Sequence, residues 1–228
     1  MGVVNYLDTI LVPLSLFITV GYHAFLWHNF KNNPSITTIG TNTLKRREWL
    51  HGIKEGDDKK EMLAVQSLRN SLMEAILTAT ITILMTMSLA ALANNAYKVT
   101  NLMEEAPVFG SQTGRIIVLK YGAASVFLLI SFLSSSIAIG YLVDANFLIN
   151  ASGEFICRSH TKTVLERGFM MGVVGSRMLC ISFPLLFWLV GPLPVALSSL
   201  ALVWALYQLD YATKGPAQSL KRAVIGSN

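Results

Sequence analysis

Charge is scarce in this chain. Only 14% of its 228 residues are Asp, Glu, Lys or Arg, against roughly 25% in an ordinary soluble domain, while 53% are hydrophobic. Once the apolar runs are set aside, too little remains for a water-soluble domain with a core of its own. Cysteine is scarcer still. Cys157, in a connection, and Cys180, in an apolar run, make no disulfide framework and no metal-ligand spacing; Cys157 lies near a membrane edge, where an idle thiol and a reversible acylation are the alternatives. Catalytic signatures are missing as well: there is no H-E-x-x-H, no phosphate-binding glycine loop, no nucleophile elbow and no cysteine pair. The chain is therefore expected not to be an enzyme, and neither a catalytic residue, a metal nor a cofactor is assigned to it. The start, Met1-Gly2-Val3-Val4-Asn5-Tyr6, lacks the Ser or Thr of a myristoylation site and the basic region of a cleaved signal peptide. The first apolar run is expected to stay in the membrane.

What is present is a succession of long apolar runs. Crossings are expected at about residues 3–27, 69–94, 118–144, 168–190 and 194–211, with a polar loop over 29–65. This predicts an all-α, multi-pass bundle of about five crossings in one membrane domain over 1–228, with long helices extending into the cytoplasm. The net charge of +5 does not point to nucleic acid, because the basic residues sit in the connections, as membrane topology requires. One side collects Lys31, the cluster Lys45-Arg46-Arg47, Lys54, Lys59, Lys60, Arg158, Lys162, Arg167, Lys214, Lys221 and Arg222; the other has Lys98 and Arg115. The N-terminus is then expected outside and the C-terminus in the cytosol, of an organelle the sequence does not name. The sequon Asn150-Ala151-Ser152 falls on the cytoplasmic side and is expected to be unmodified.

The stretch Gln66–Asn94 carries the most information. Its interior, Ala75 to Ala93, has no charge, proline or glycine, and about twenty residues at 1.5 Å each cross a ~30 Å hydrocarbon core. Polar residues nevertheless recur at every fourth position: Gln66, Asn70, Glu74, Thr78, Thr82 and Thr86. A step of four advances 400°, so the row drifts by about 40° each time, and Glu74 to Thr86 stays on one face. That face must meet protein or water. Helix packing through threonines is the reading favoured over a polar pathway.

Three ionisable residues lie in or at the edge of apolar runs. Arg177 stands ten residues past Arg167, about 15 Å into the bilayer, where an arginine costs roughly 2.5–3.5 kcal/mol and needs protein or water around it. Glu74, about 7 Å inside Arg69, is the first candidate partner, and Asp144 the second. Lys120 is expected to snorkel at the end of the third crossing. In the polar loop, Lys45, Arg46, Arg47 and Trp49 have the composition of a segment lying on an anionic lipid surface. A solvated loop is the equal alternative.

The run from Arg167-Gly168 through Gly175-Ser176-Arg177, Pro184, Trp188 and Gly191-Pro192, with Gln66-x-x-Arg69-Asn70 and Asp144-Ala145-Asn146, resembles the plant and bacterial multi-pass proteins grouped as domain-of-unknown-function family 599. The likeness is firmest from Gln66 to Asp210, and Thr37-Thr38-Ile39-Gly40 agrees with it. The resemblance implies a helical membrane protein and no particular activity. The leading expectation is an oligomer of this chain that forms or regulates a path for ions or small solutes, using Arg177 and the face from Glu74 to Thr86. The rival is a structural or adaptor protein recruiting a cytoplasmic partner or anionic lipid through its basic loop.

Overall fold

The structure, a computed structural model, describes residues 2–52, 58–99, 114–150 and 158–211. Six α-helices and one 3₁₀ turn account for them: α1 (Gly2–Asn32), the turn Pro34–Ile36, α2 (Thr38–Gly52), α3 (Asp58–Val99), α4 (Gly114–Asn150), α5 (Arg158–Phe187) and α6 (Pro192–Asp210). Among the described residues five stretches are long and apolar enough to cross a membrane: Ile10–Asn32, Met62–Asn95, Val118–Ile149, His160–Phe187 and Pro192–Asp210. The chain has the fold of a multi-pass, all-α membrane protein. It divides into two compact units, one of Met1–Val12 with Ile53–Ser198 and one of Pro13–Gly52 with Ser199–Asn228.

In the first unit α4 packs against both α5 and α3. Lys120 and Ser134 are buried on α4 as well, but the reason is legible in the row Ala124, Leu128, Ser131, Ser135, Ala138, Leu142 and Ala145. Their spacing alternates four and three without a break. That is the 3.5-residue repeat of a left-handed helix seam, whose apolar or small side chains stay on one stripe for the whole length of the contact. α3 carries the same repeat in Leu68, Ala75, Thr82 and Leu89, each seven residues from the next, and all four are buried. α5 answers with Gly168, Gly172 and Gly175: a Cβ on Gly168 would touch Leu142 at 3.0 Å, one on Gly172 would meet Ala138 at 3.9 Å, and one on Gly175 would lie 3.3 Å from the Ser131 carbonyl oxygen. As the number rises along α5 it falls along α4, so the two helices are antiparallel and approach closely through small residues.

α5 ends within a turn of its one proline. Pro184 sits inside the helix; the last turn then tightens, with Leu189 N–H donating to Leu186 O and Val190 N–H to Phe187 O, both at 3.1 Å. α6 begins immediately at Pro192, earlier than the expected 194, because a proline at the first helical position loses only an N–H that had no partner in any case.

The stretch 29–65, expected as a polar connection from whose end near Asp57 or Asp58 the next helix starts, holds the end of α1, the 3₁₀ turn, all of α2 and the start of α3 at Asp58. Thr37 is extended, at φ −101° and ψ 144°, and its hydroxyl accepts the Gly40 N–H at 3.2 Å, which is the geometry of a helix N-cap. A Cβ on Gly40 would overlap the Pro34 carbonyl and lie 2.7 Å from Pro34 Cα, so only glycine lets α2 lie on the turn before it. The sequon residues Ala151 and Ser152, with Cys157, lie outside the described residues.

Candidate functional site

The polar row on α3 accounts for its own hydroxyls. Thr78 donates to Glu74 O at 2.9 Å, Thr82 to Thr78 O at 2.7 Å and Thr86 to Thr82 O at 2.8 Å. A spacing of four equals the reach of a threonine hydroxyl back to the preceding turn, so each member satisfies its proton on the one before it, as buried hydroxyls in an apolar setting must. Thr78 and Thr82 are buried, whereas Glu74 and Thr86, at the two ends, are exposed. The geometry follows from two periods. The packing seam repeats every 3.5 residues and the row every 4, so the row crosses the seam at Thr78 and Thr82 and leaves it on either side.

At the crossing the three helices share a buried polar node. Ser131 of α4 donates to the carbonyl of Gly175 on α5 at 2.7 Å, and Ser131 Oγ is 3.3 Å from Thr82 Oγ1 of α3. Each hydroxyl has a single proton. With both given to carbonyls, the Thr82–Ser131 contact holds none, and it becomes a hydrogen bond only when one carbonyl is given up. Ser135 Oγ, fully buried one turn along, has no hydrogen-bond partner among the described residues and faces the side of Gly175 where a Cβ would stand.

Arg177 follows two residues after this node. α5 is enclosed: no residue from Gly168 to Ser182 is exposed, and Arg177 itself is half-buried. Glu74 and Asp144 stand at exposed positions on α3 and α4. Lys45 and Arg46 are exposed on α2, and the side chains of Arg47 and Trp49 lie outside the described residues. Among the described residues no group of three or more His, Cys, Asp or Glu could hold a metal ion.

Two features escaped the sequence reading. Lys120 does not snorkel: it is 3% exposed, with its ammonium 5.8 Å from the centre of the Trp188 ring, a cation–π contact at the C-terminal end of α5, where a positive charge is favoured. In the second unit, Asp210, at the end of α6, is 1% exposed and accepts the Tyr22 hydroxyl at 2.6 Å. Asn29 donates to the Tyr211 hydroxyl at 2.7 Å, and the Thr38 hydroxyl stands 2.9 Å from Leu209 O and 3.0 Å from Asp210 O. Those carbonyls close α6, and Thr38 supplies a donor that a helix C-terminus lacks. A carboxylate so near the end of an apolar run was the available signal.

The sequence pattern of a family described as "Protein of unknown function, DUF599" matches residues 10–215. The chain belongs to this family. The matched region holds the seam, the node, Arg177 and the Tyr22–Asp210 pair. No curated protein and no solved structure matches the chain.

Proposed function

We propose that this membrane protein handles an ion or small polar solute at Arg177, as part of an oligomer that forms or regulates a permeation path. The observation that supports this is the position of a guanidinium within the enclosed part of α5, two residues from the node where three helices meet. A charge kept at mid-membrane depth against its insertion cost marks ion and substrate sites more often than lipid-facing surface. The threonines Thr78 and Thr82 have spent their protons on α3 carbonyls, so within one copy they serve packing. A path through this face would run between copies.

Arg177 and Glu74 supply the test. Were the two an ion pair, Arg177→Ala would leave a carboxylate uncompensated and cost about 3–5 kcal/mol, and Glu74→Ala would restore assembly in the double variant. In the conduit reading, Arg177→Gln leaves folding and oligomer size intact while changing which ions enter liposomes that contain the purified protein. Unchanged flux and stability in all of these variants would sink both roles.

A second reading rests on α2. Its exposed Lys45 and Arg46 suit recruitment of anionic lipid or a cytoplasmic partner. The side of the membrane is read from the Lys and Arg count. Reporter tags outside at the N-terminus and cytosolic at the C-terminus are expected.

A further inference from the structure

We infer that α2 is held at the membrane boundary as a docking helix for anionic lipid headgroups of the protein's own bilayer. The inference deepens the second reading above and is independent of Arg177. Five residues separate the end of α1 at Asn32 from the start of α2 at Thr38, so α2 begins where a membrane span ends. Its first residue is also fastened to the end of another span, since the Thr38 hydroxyl lies 2.9 Å from Leu209 O and 3.0 Å from Asp210 O. Thr37 caps the helix at that point, and Gly40 sets it against Pro34. The base of α2 is therefore anchored at the boundary by two chain segments.

Lys45 and Arg46 follow seven and eight residues after Thr38. At 1.5 Å per residue they stand no more than about 12 Å from that anchor, close to the Debye length of roughly 8–10 Å at physiological salt. Both are exposed, as is Leu44 beside them. A basic residue within that distance of an anionic leaflet gains on the order of a fivefold preference, whereas one on a free loop would average over distances where salt screens it. Charge sign chooses the occupant: Lys45, Arg46 and Arg47 are followed by the single acid Glu48. An anionic surface already lies within reach, without any partner having to be recruited.

The full-length protein in vesicles of phosphatidylcholine, with and without phosphatidylglycerol, tests this through hydrogen exchange of the α2 amides. Symmetric vesicles carry the anionic lipid in both leaflets, so the result does not depend on topology. Phosphatidylglycerol should slow exchange over 42–50 in low salt, and Lys45→Gln with Arg46→Gln should reverse the effect on the order of tenfold. Thr38→Val, which keeps every charge, should weaken the lipid effect, while Arg177→Gln should leave it unchanged. Equal exchange in the two lipids would overturn the inference. So would protection that appears only when an acidic peptide is added, which would assign α2 to a protein partner instead.

Discussion

Ser131 Oγ lies 2.7 Å from the carbonyl oxygen of Gly175, a hydrogen bond between α4 and α5 made to a carbonyl inside a helix. It depends on the absence of a side chain at Gly175, because only a bare α-carbon brings the two backbones this close. The contact joins the small-residue stripe of one helix to the serine stripe of the other.

The three seam glycines of α5 should differ sharply. Gly175→Ala puts a methyl into Ser135 Oγ and 3.3 Å from Ser131 O, and Gly168→Ala puts one 3.0 Å from Leu142. Overpacking of this kind costs about 1–3 kcal/mol, and the Gly175 variant should be the worse because backbone cannot step aside. At Gly172 the nearest atom is 3.9 Å away, so Gly172→Ala should be neutral or should stabilise by about 0.5–1 kcal/mol through helix propensity. Thermal unfolding in detergent ranks the three.

Ser131→Ala should cost about 0.6–1.7 kcal/mol, the range for interhelical hydrogen bonds in membranes. Thr82→Val should cost less, since the Thr82 proton already goes to Thr78 O within the same helix. A double-mutant cycle in detergent measures the coupling. A coupling near zero would mean that the 3.3 Å contact between the hydroxyls carries no proton.

Trp188→Leu should remove the aromatic face from Lys120, at a cost of about 0.5–2 kcal/mol. Lys120→Met should largely cancel that loss in the double variant, because it removes the buried charge while keeping the length of the stem. Additive losses in unfolding experiments would show that the two side chains act separately.

Tyr22→Phe should destabilise the second unit by about 1.5–3 kcal/mol, the value of a hydrogen bond to a charged group. Asp210→Asn should be milder in the Tyr22→Phe background than alone. Hydrogen exchange at the end of α6 reports the effect locally, and unchanged exchange there would remove the pair from the forces holding this end.

Gly40→Ala should free α2 from its turn, since the new methyl would overlap the Pro34 carbonyl. Faster exchange in α2, with α3 to α5 unaffected, is the expected outcome.

The number and position of the spans follow from the sequence by itself, because a bilayer asks only for length and apolarity, and both are sums over neighbouring residues. Even there the proline pair misled by two residues, since Pro192 opens a helix as readily as it ends one. The row from Glu74 to Thr86 was visible, but its meaning depended on a second period that lies on α4. Only the packed structure shows that the 3.5-residue seam passes through Thr78 and Thr82, and that Ser131, bonded to the Gly175 carbonyl, meets Thr82 there. The contacts of Lys120 and Asp210 were out of reach for the same reason. Their partners, Trp188 and Tyr22, lie far away along the chain, and pairing across such a distance is decided by which helix faces pack, not by any local spacing.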